Sequence, residues 1–216
     1  MSLTPRIRPA TWTCPPRCWP MSLPAVVVAP RASSGRAARL RSGGLDELLS
    51  GYDDARRRAT TCGFTAVRRI AGGRAAAYHR GSVLLELFVP QDDIVTGTEE
   101  RFEHVTALLL QTLLALGVDA AIGELPDEYC PGRFTIHADG IKLAGVAQRS
   151  IRGASMVSAF VSVQDGAALR RALVPVYEAL SLPMDPHTAG AIEDVRPGLT
   201  ASDLVRALVE AMEGER

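Results

Sequence analysis

The stretch GRFTIHADGIKLAGVAQRSIRGASMVSAFVSV, residues 132–163, decides the fold. Its first two segments, "RFTIHA" and "KLAGVAQRS", flank Asp139 and Gly140. That dipeptide suits a type I′ turn, whose two central positions both need positive φ. After Gly153, "ASMVSAFVSV" at 154–163 alternates and predicts a third antiparallel strand. Upstream, "SVLLELFVP" at 82–90 reads as a buried strand stopped by Pro90, and "FTAVRRI" at 64–70 as another. The clearest helix lies between them and the meander. It starts with Thr96 and Glu99, carries an apolar stripe through Val105, Leu108, Leu109, Thr112 and Leu116, and stops at Gly117. A helix over 44–63 precedes the strands, with Leu45, Leu48, Leu49, Tyr52 and Ala55 on its apolar side. Helices at 167–180 and 201–213, the second capped by Thr200, close the chain, with a Pro- and Gly-rich loop at 181–198 between them. This order predicts an α+β fold, a mostly antiparallel or mixed β-sheet flanked by helices.

Residues 1–43 read as an irregular, partly disordered arm rich in Pro, Arg, Ser and Gly, in which "AVVV" at 25–28 is the one strand signal. Residues 44–216 form the domain, with its C-terminal helices. At 216 residues and 47% apolar, the chain can bury one sizeable core. Zero formal net charge argues against bulk binding to nucleic acid or a membrane surface. The apolar run at 107–116 is too short to span a bilayer. Cys14, Cys18, Cys62 and Cys130 form neither a disulfide framework nor, with His79, His104, His137 and His187, a metal-ligand set. A cytoplasmic protein without a metal, nucleic-acid or membrane partner is expected. Neither G-x-G-x-x-G after a first strand nor a Walker lysine motif occurs, which removes the Rossmann and P-loop readings.

Three features carry candidate chemistry. Gly72 and Gly73 follow a strand and are flanked by Arg69 and Arg74. This is either a plain turn between two strands or a backbone cradle for an anion. Lys142 is the only lysine in a chain whose other basic side chains are arginines. A compact ammonium is hard to replace where it must sit against a carboxylate or phosphate, so Lys142 is either a functional cation or an exposed strand residue left by chance. Gly145, Gln148 and Arg149 share its strand. Cys130, in the turn "DEYCPGRF", is either a nucleophile near basic groups or a small buried hydrophobe. Among the histidines, His137 is the one near Lys142.

Together, "RRIAGGRAAAYHRGSVLLELFVP" at 68–90 and "DGIKLAGVAQRSIRGA" at 139–154 resemble the lipoate–protein ligase and octanoyltransferase branch of the biotin/lipoate A/B protein ligase superfamily. Arg69, Gly72, Gly73, Arg74 and Ala75 match its glycine-rich stretch. Gly140, Lys142, Gly145, Ala147, Gln148 and Arg149 match its lysine hairpin. Tyr78 stands in the place of a family histidine and His79 in that of an aspartate, and "MVSAF" replaces a His-Gly.

The resemblance implies a class II aminoacyl-tRNA synthetase/biotin synthetase-like fold. It also implies attachment of a lipoyl or octanoyl group to a lysine of a lipoyl carrier domain, in a 2-oxoacid dehydrogenase complex or the glycine cleavage H protein. The leading expectation is a ligase that uses lipoate, ATP and Mg through an acyl-adenylate. The alternatives are an octanoyltransferase drawing on acyl-carrier protein through a Cys130 thioester, or a non-catalytic relative that binds an acyl group or carrier. On this resemblance Lys142 offsets developing negative charge, and Gly72 and Gly73 with Arg69 and Arg74 border the acyl and adenylate slots. Ala75, Tyr78, His79, Gly145, Ala147, Gln148 and Arg149 complete the substrate-binding set, and Val83 and Leu85 line an acyl tunnel.

Overall fold

A computed structural model describes residues 25–30, 38–91 and 97–214. The expected cap at Thr96 and the Cys14–Cys18 pair lie outside these residues.

Among the described residues two sheets form. The larger is built from β1 (Ala25–Pro30), β5 (Ser82–Gln91), β6 (Ala121–Ile122), β7 (Ile136–Ala138), β8 (Ile141–Ile151) and β9 (Gly153–Ser162). It is antiparallel throughout, in the order β1-β5-β9-β8-β7-β6. The smaller is built from β2 (Arg39–Ser42), β3 (Thr65–Arg68) and β4 (Ala76–Tyr78), in the order β3-β2-β4. The meander forms as expected, and Asp139 and Gly140 both take positive φ, 48° and 75°. Thr200 also behaves as expected. Its Oγ1 accepts from the Asp203 N–H while Asp203 accepts from the Thr200 N–H, a reciprocal cap on α5 (Ala201–Gly214).

The smaller sheet departs from expectation in two ways. Arg39–Ser42, read as part of an irregular arm, is its central strand: Leu40 is buried between a parallel pairing to β3 and an antiparallel one to β4. Consequently β3 and β4 lie on opposite sides of β2, and residues 69–75 cross over it. The glycine pair is therefore a crossover, not a hairpin turn between paired strands.

The first helix also starts later than expected, as α1 (Tyr52–Thr61). The Asp46 carboxylate accepts from the Gly43 N–H at 2.9 Å, and residues 43–52 form successive turns, with the Asp46, Leu49 and Tyr52 N–H groups donating to the Gly43, Asp46 and Leu49 carbonyls, instead of continuous helix. Leu45 and Leu48, counted on an apolar helix face, are exposed.

Two apolar clusters flank the large sheet. On one face Val83, Leu85, Leu87, Val157, Ala159 and Val161 pack against α2 (Thr98–Ala115) and α5. On the other, Leu84 and Phe160 meet the small sheet, α1 and α3 (Gly166–Ala179). The segment 181–198, expected to be a loop, holds a 3-10 turn, Pro186–Thr188, and the short α4 (Ile192–Val195). Of the described helices, none is long and apolar enough to cross a membrane.

Candidate active site

A cleft of about 330 Å³ opens between the two sheets. Residues 69–75, the turn at 128–132 and the inward face of β8 form its walls. Tyr78, Tyr129, Phe102, Phe134 and Phe160 give it an aromatic lining, which suits an apolar chain.

Lys142 and Gly145 both face this cleft although they are three positions apart. In a regular strand an odd spacing points to opposite faces. Here Ile136 pairs with Ala144 but His137 with Lys142, so Leu143 is an extra residue and the strand bulges. Leu143 turns into the α2/α5 core, and the bulge returns Gly145 to the side of Lys142. A Cβ on Gly145 would sit 3.4 Å from Lys142 Cε, so the glycine leaves room for the lysine stem.

Cys130 occupies the turn with φ +47°, an uncommon conformation for a non-glycine residue. Its N–H donates to the Tyr177 hydroxyl at 2.7 Å, which donates in turn to the Ala75 carbonyl at 2.9 Å. Tyr177, on α3, thereby ties the cysteine turn to the glycine-rich crossover. The Cys130 sulfur accepts from Arg69 Nη2 and from the Arg74 N–H, each at 3.3 Å. Arg69 is buried and also donates to the Arg74 carbonyl at 2.6 Å. Burial alone would lower its pKa, but Cys130 and the Tyr78 hydroxyl outweigh that and raise it, so Arg69 is a permanent cation. Burial pushes the Tyr78 hydroxyl up, against the pull of Arg69 and Arg41.

The Lys142 ammonium has three acceptors for its three protons: the Cys130 carbonyl at 2.7 Å, the Tyr129 carbonyl at 3.0 Å and Glu128 Oε1 at 3.3 Å. It also lies 5.0 Å from the Tyr129 ring centroid. Burial lowers its pKa, opposed by Cys130 and Glu128. The lysine is thus committed to the backbone of the cysteine turn.

The structure brings Arg69, Gly72, Gly73, Tyr78, Cys130, Lys142, Gly145, Ala147 and Gln148 to the cleft. It places the remaining candidates elsewhere. The Arg74 side chain turns away to the buried Asp46 carboxylate at 3.3 Å, so only its N–H serves the sulfur. Ala75 is fully buried and contributes its carbonyl to Tyr177. Arg149 donates to the Ile70 carbonyl at 3.1 Å, bracing the crossover. His79 is buried against Phe64, with Nδ1 accepting from the Gly81 N–H, and does not line the cleft. His137 does not line it either. Val83 and Leu85 are on the opposite face of the sheet, so they line no acyl tunnel. Tyr177, Glu128 and Asp46 escaped the sequence reading because each acts across long sequence separations or without a motif. Only the position of Glu128, two residues before Cys130, gave a local signal.

Among the described residues no group of His, Cys, Asp and Glu could hold a metal ion. Glu128, the carboxylate nearest the cleft, is already engaged with Lys142, Thr135 and the Gly132 N–H. Among the described residues no aspartate or glutamate lines the cleft itself.

The family model of the lipoyl protein ligase A/B catalytic domain matches residues 54–213. The chain belongs to this family. One similar relative is an octanoyl-[GcvH]:protein N-octanoyltransferase of Geobacillus kaustophilus, 29% identical over 160 residues, 74% of this chain and 56% of that protein. A lipoyl-[GcvH]:protein N-lipoyltransferase of Listeria monocytogenes is 24% identical over 146 residues, 67% of this chain and 52% of the relative. The chain thus spans little more than half the length of these lipoyl ligase family relatives. Among solved structures, lipoate-protein ligase A bound with ATP superposes with a TM-score of 0.64 at 21% identity, covering 82% of this chain and 68% of that one. A protein of Thermoplasma acidophilum with bound lipoic acid gives a TM-score of 0.61 with the same coverage. These likenesses establish the α+β fold expected from the sequence.

Proposed function

We propose that the protein is a thiol-dependent acyltransferase that moves an octanoyl or lipoyl group onto the lysine of a carrier domain through a thioester on Cys130. The observation that carries this reading is the Cys130 sulfur, held in an aromatic cleft between the Arg69 guanidinium and the Arg74 N–H. A sulfur held by a cation and a backbone donor is oriented in the cleft for attack on an acyl carbon. In the first half-reaction Sγ forms a bond to the acyl carbonyl carbon, the bond from that carbon to the donor carrier breaks, and the proton lost by the thiol leaves on the carrier. In the second, the amine of the recipient lysine attacks the thioester carbon. A C–N bond forms, the C–S bond breaks, and the amine loses its proton as Sγ is released. The donors beside Sγ also stand next to the carbonyl that takes on negative charge in both steps.

The names of the relatives support transfer over the ATP-dependent ligase expected from the sequence. They also support GcvH, the glycine cleavage H protein, as donor or recipient; lipoyl domains as further partners and a cytoplasmic location are part of the proposal. The test uses the full chain, an octanoylated carrier protein and intact-mass spectrometry. The proposal expects one octanoyl group on the wild-type protein and none on Cys130→Ala. An adduct that survives that substitution, or lipoylation of a carrier that needs lipoate and ATP but no acyl donor, would overturn it.

A further inference from the structure

Glu128 is fully buried, and neither the family motifs nor the reaction just described uses it. Its Oε1 is a hub: it accepts from the Thr135 hydroxyl at 2.6 Å and the Gly132 N–H at 3.0 Å, and faces Lys142 Nζ at 3.3 Å. Its Oε2 is buried with no hydrogen-bond partner. A carboxylate in such a place is costly unless the charge opposite it matters, because removing two charges from water is repaid only by close pairing.

We infer that Glu128 is a positioning residue for the acyl-transfer centre: its carboxylate anchors the Lys142 ammonium, which in turn clasps the carbonyls of Tyr129 and Cys130 and so fixes the cysteine turn. The remaining contacts of Lys142 are two neutral carbonyls and an aromatic face, none of which carries a compensating charge. The charged or titratable groups acting on Lys142 are Glu128, Cys130 and Arg69, and Arg69 opposes its charge. Glu128 therefore supplies the counter-charge that lets a buried ammonium persist whether or not the cysteine is anionic. With that ammonium in place, the Cys130 carbonyl is held at 2.7 Å and the left-handed turn aims Sγ at Arg69 and the Arg74 N–H. The functional part of this inference rests on the thioester reading; the anchoring part does not.

Because Lys142 is the only lysine, lysine labelled with carbon-13 at Cε gives one side-chain resonance of known origin. Its titration is followed in the wild type, in Glu128→Gln, which keeps the size and an acceptor for Thr135, and in Glu128→Asp, which keeps the charge. Alkylation of Cys130 by iodoacetamide, mapped by peptide mass, is measured on the same samples and needs no acyl donor. In Glu128→Gln the Lys142 midpoint falls by at least about one pH unit, a tenfold loss of proton affinity. Cys130 alkylation slows about fivefold or more in the window where Lys142 has lost its proton. Glu128→Asp lies closer to the wild type in both. An unchanged midpoint in Glu128→Gln overturns the anchoring role. A shifted midpoint with unchanged alkylation overturns the positioning role. Failure of the thioester reading shows separately, as absence of an octanoyl adduct on the wild-type protein.

Discussion

The sulfur of Cys130 accepts a hydrogen bond from the backbone N–H of Arg74 at 3.3 Å, across 56 residues of sequence. Two stretches that read as separate candidates, a glycine-rich crossover and a cysteine turn, are therefore one unit. Tyr177 closes the same unit from behind through Ala75 and the Cys130 N–H.

The two glycines of the crossover should differ sharply. Gly73 has φ +96°, and a Cβ there would collide with Arg69 Nη2 and lie 2.9 Å from Cys130 Sγ. A Cβ at Gly72 meets nothing within 4 Å. Gly73→Ala is expected to displace Arg69 from the sulfur, cost about 1–2 kcal/mol of backbone strain and lower acyl transfer at least about tenfold. Gly72→Ala should remain near wild type. Equal effects in single-turnover acylation would contradict this role for the crossover.

The two arginines should separate as well. Arg69→Met removes a charged donor from Sγ and is expected to reduce acylation by about 10²-fold, the scale for loss of one preorganised donor. Arg74→Met leaves the N–H in place, so acylation should change little. It strips the buried Asp46 carboxylate of its cation, and unfolding in urea should report a loss of about 1–3 kcal/mol. If Arg74→Met instead abolishes acylation in a stable protein, its side chain has a role this geometry does not assign.

Breaking the buried pair should cost more than removing it. Lys142→Met leaves Glu128 without its cation and is expected to destabilise the fold by about 3 kcal/mol. Adding Glu128→Gln should return much of that stability, because no isolated charge remains buried. Additive losses in chemical denaturation would show that the two groups do not interact.

His79 should make the fold acid-sensitive. Its Nδ1 accepts from the Gly81 N–H, and burial lowers its pKa against the opposing pull of Asp165 and Glu193. The unfolded chain takes up a proton near the ordinary histidine value of about 6.5, while the folded protein resists until lower pH. The unfolded state then binds more protons, so stability declines as pH falls below about 6.5 and levels off below the folded pKa. His79→Asn keeps an acceptor for the Gly81 N–H but cannot titrate, so its melting temperature should fall less between about pH 7 and pH 5. Parallel curves for the two proteins would exclude His79 as the source.

Much was legible along the chain. Alternation and an Asp-Gly turn specify the meander because strand periodicity and turn chemistry are local properties. The lone lysine, the glycine pair and Cys130 stood out by residue type, and all three line the cleft. The strand β2 was not legible, since its four residues, "RLRS", gain their strand identity from β3 and β4 on either side. The later start of α1 was not legible, because an apolar spacing that looks helical equally suits the successive turns formed at 43–52.

By itself, then, the sequence determined an α+β chain with an antiparallel meander, a family, and a short set of reactive residue types. Only the tertiary structure decided what each of them does. It turned the glycine pair into a crossover, sent the Arg74 side chain to Asp46, moved His79 and Leu85 away from the cleft, and gave Lys142 a buried partner in Glu128. The physical reason is range. Turn and strand preferences act between neighbours, whereas the charge and direction of a buried side chain depend on groups brought together from distant parts of the chain.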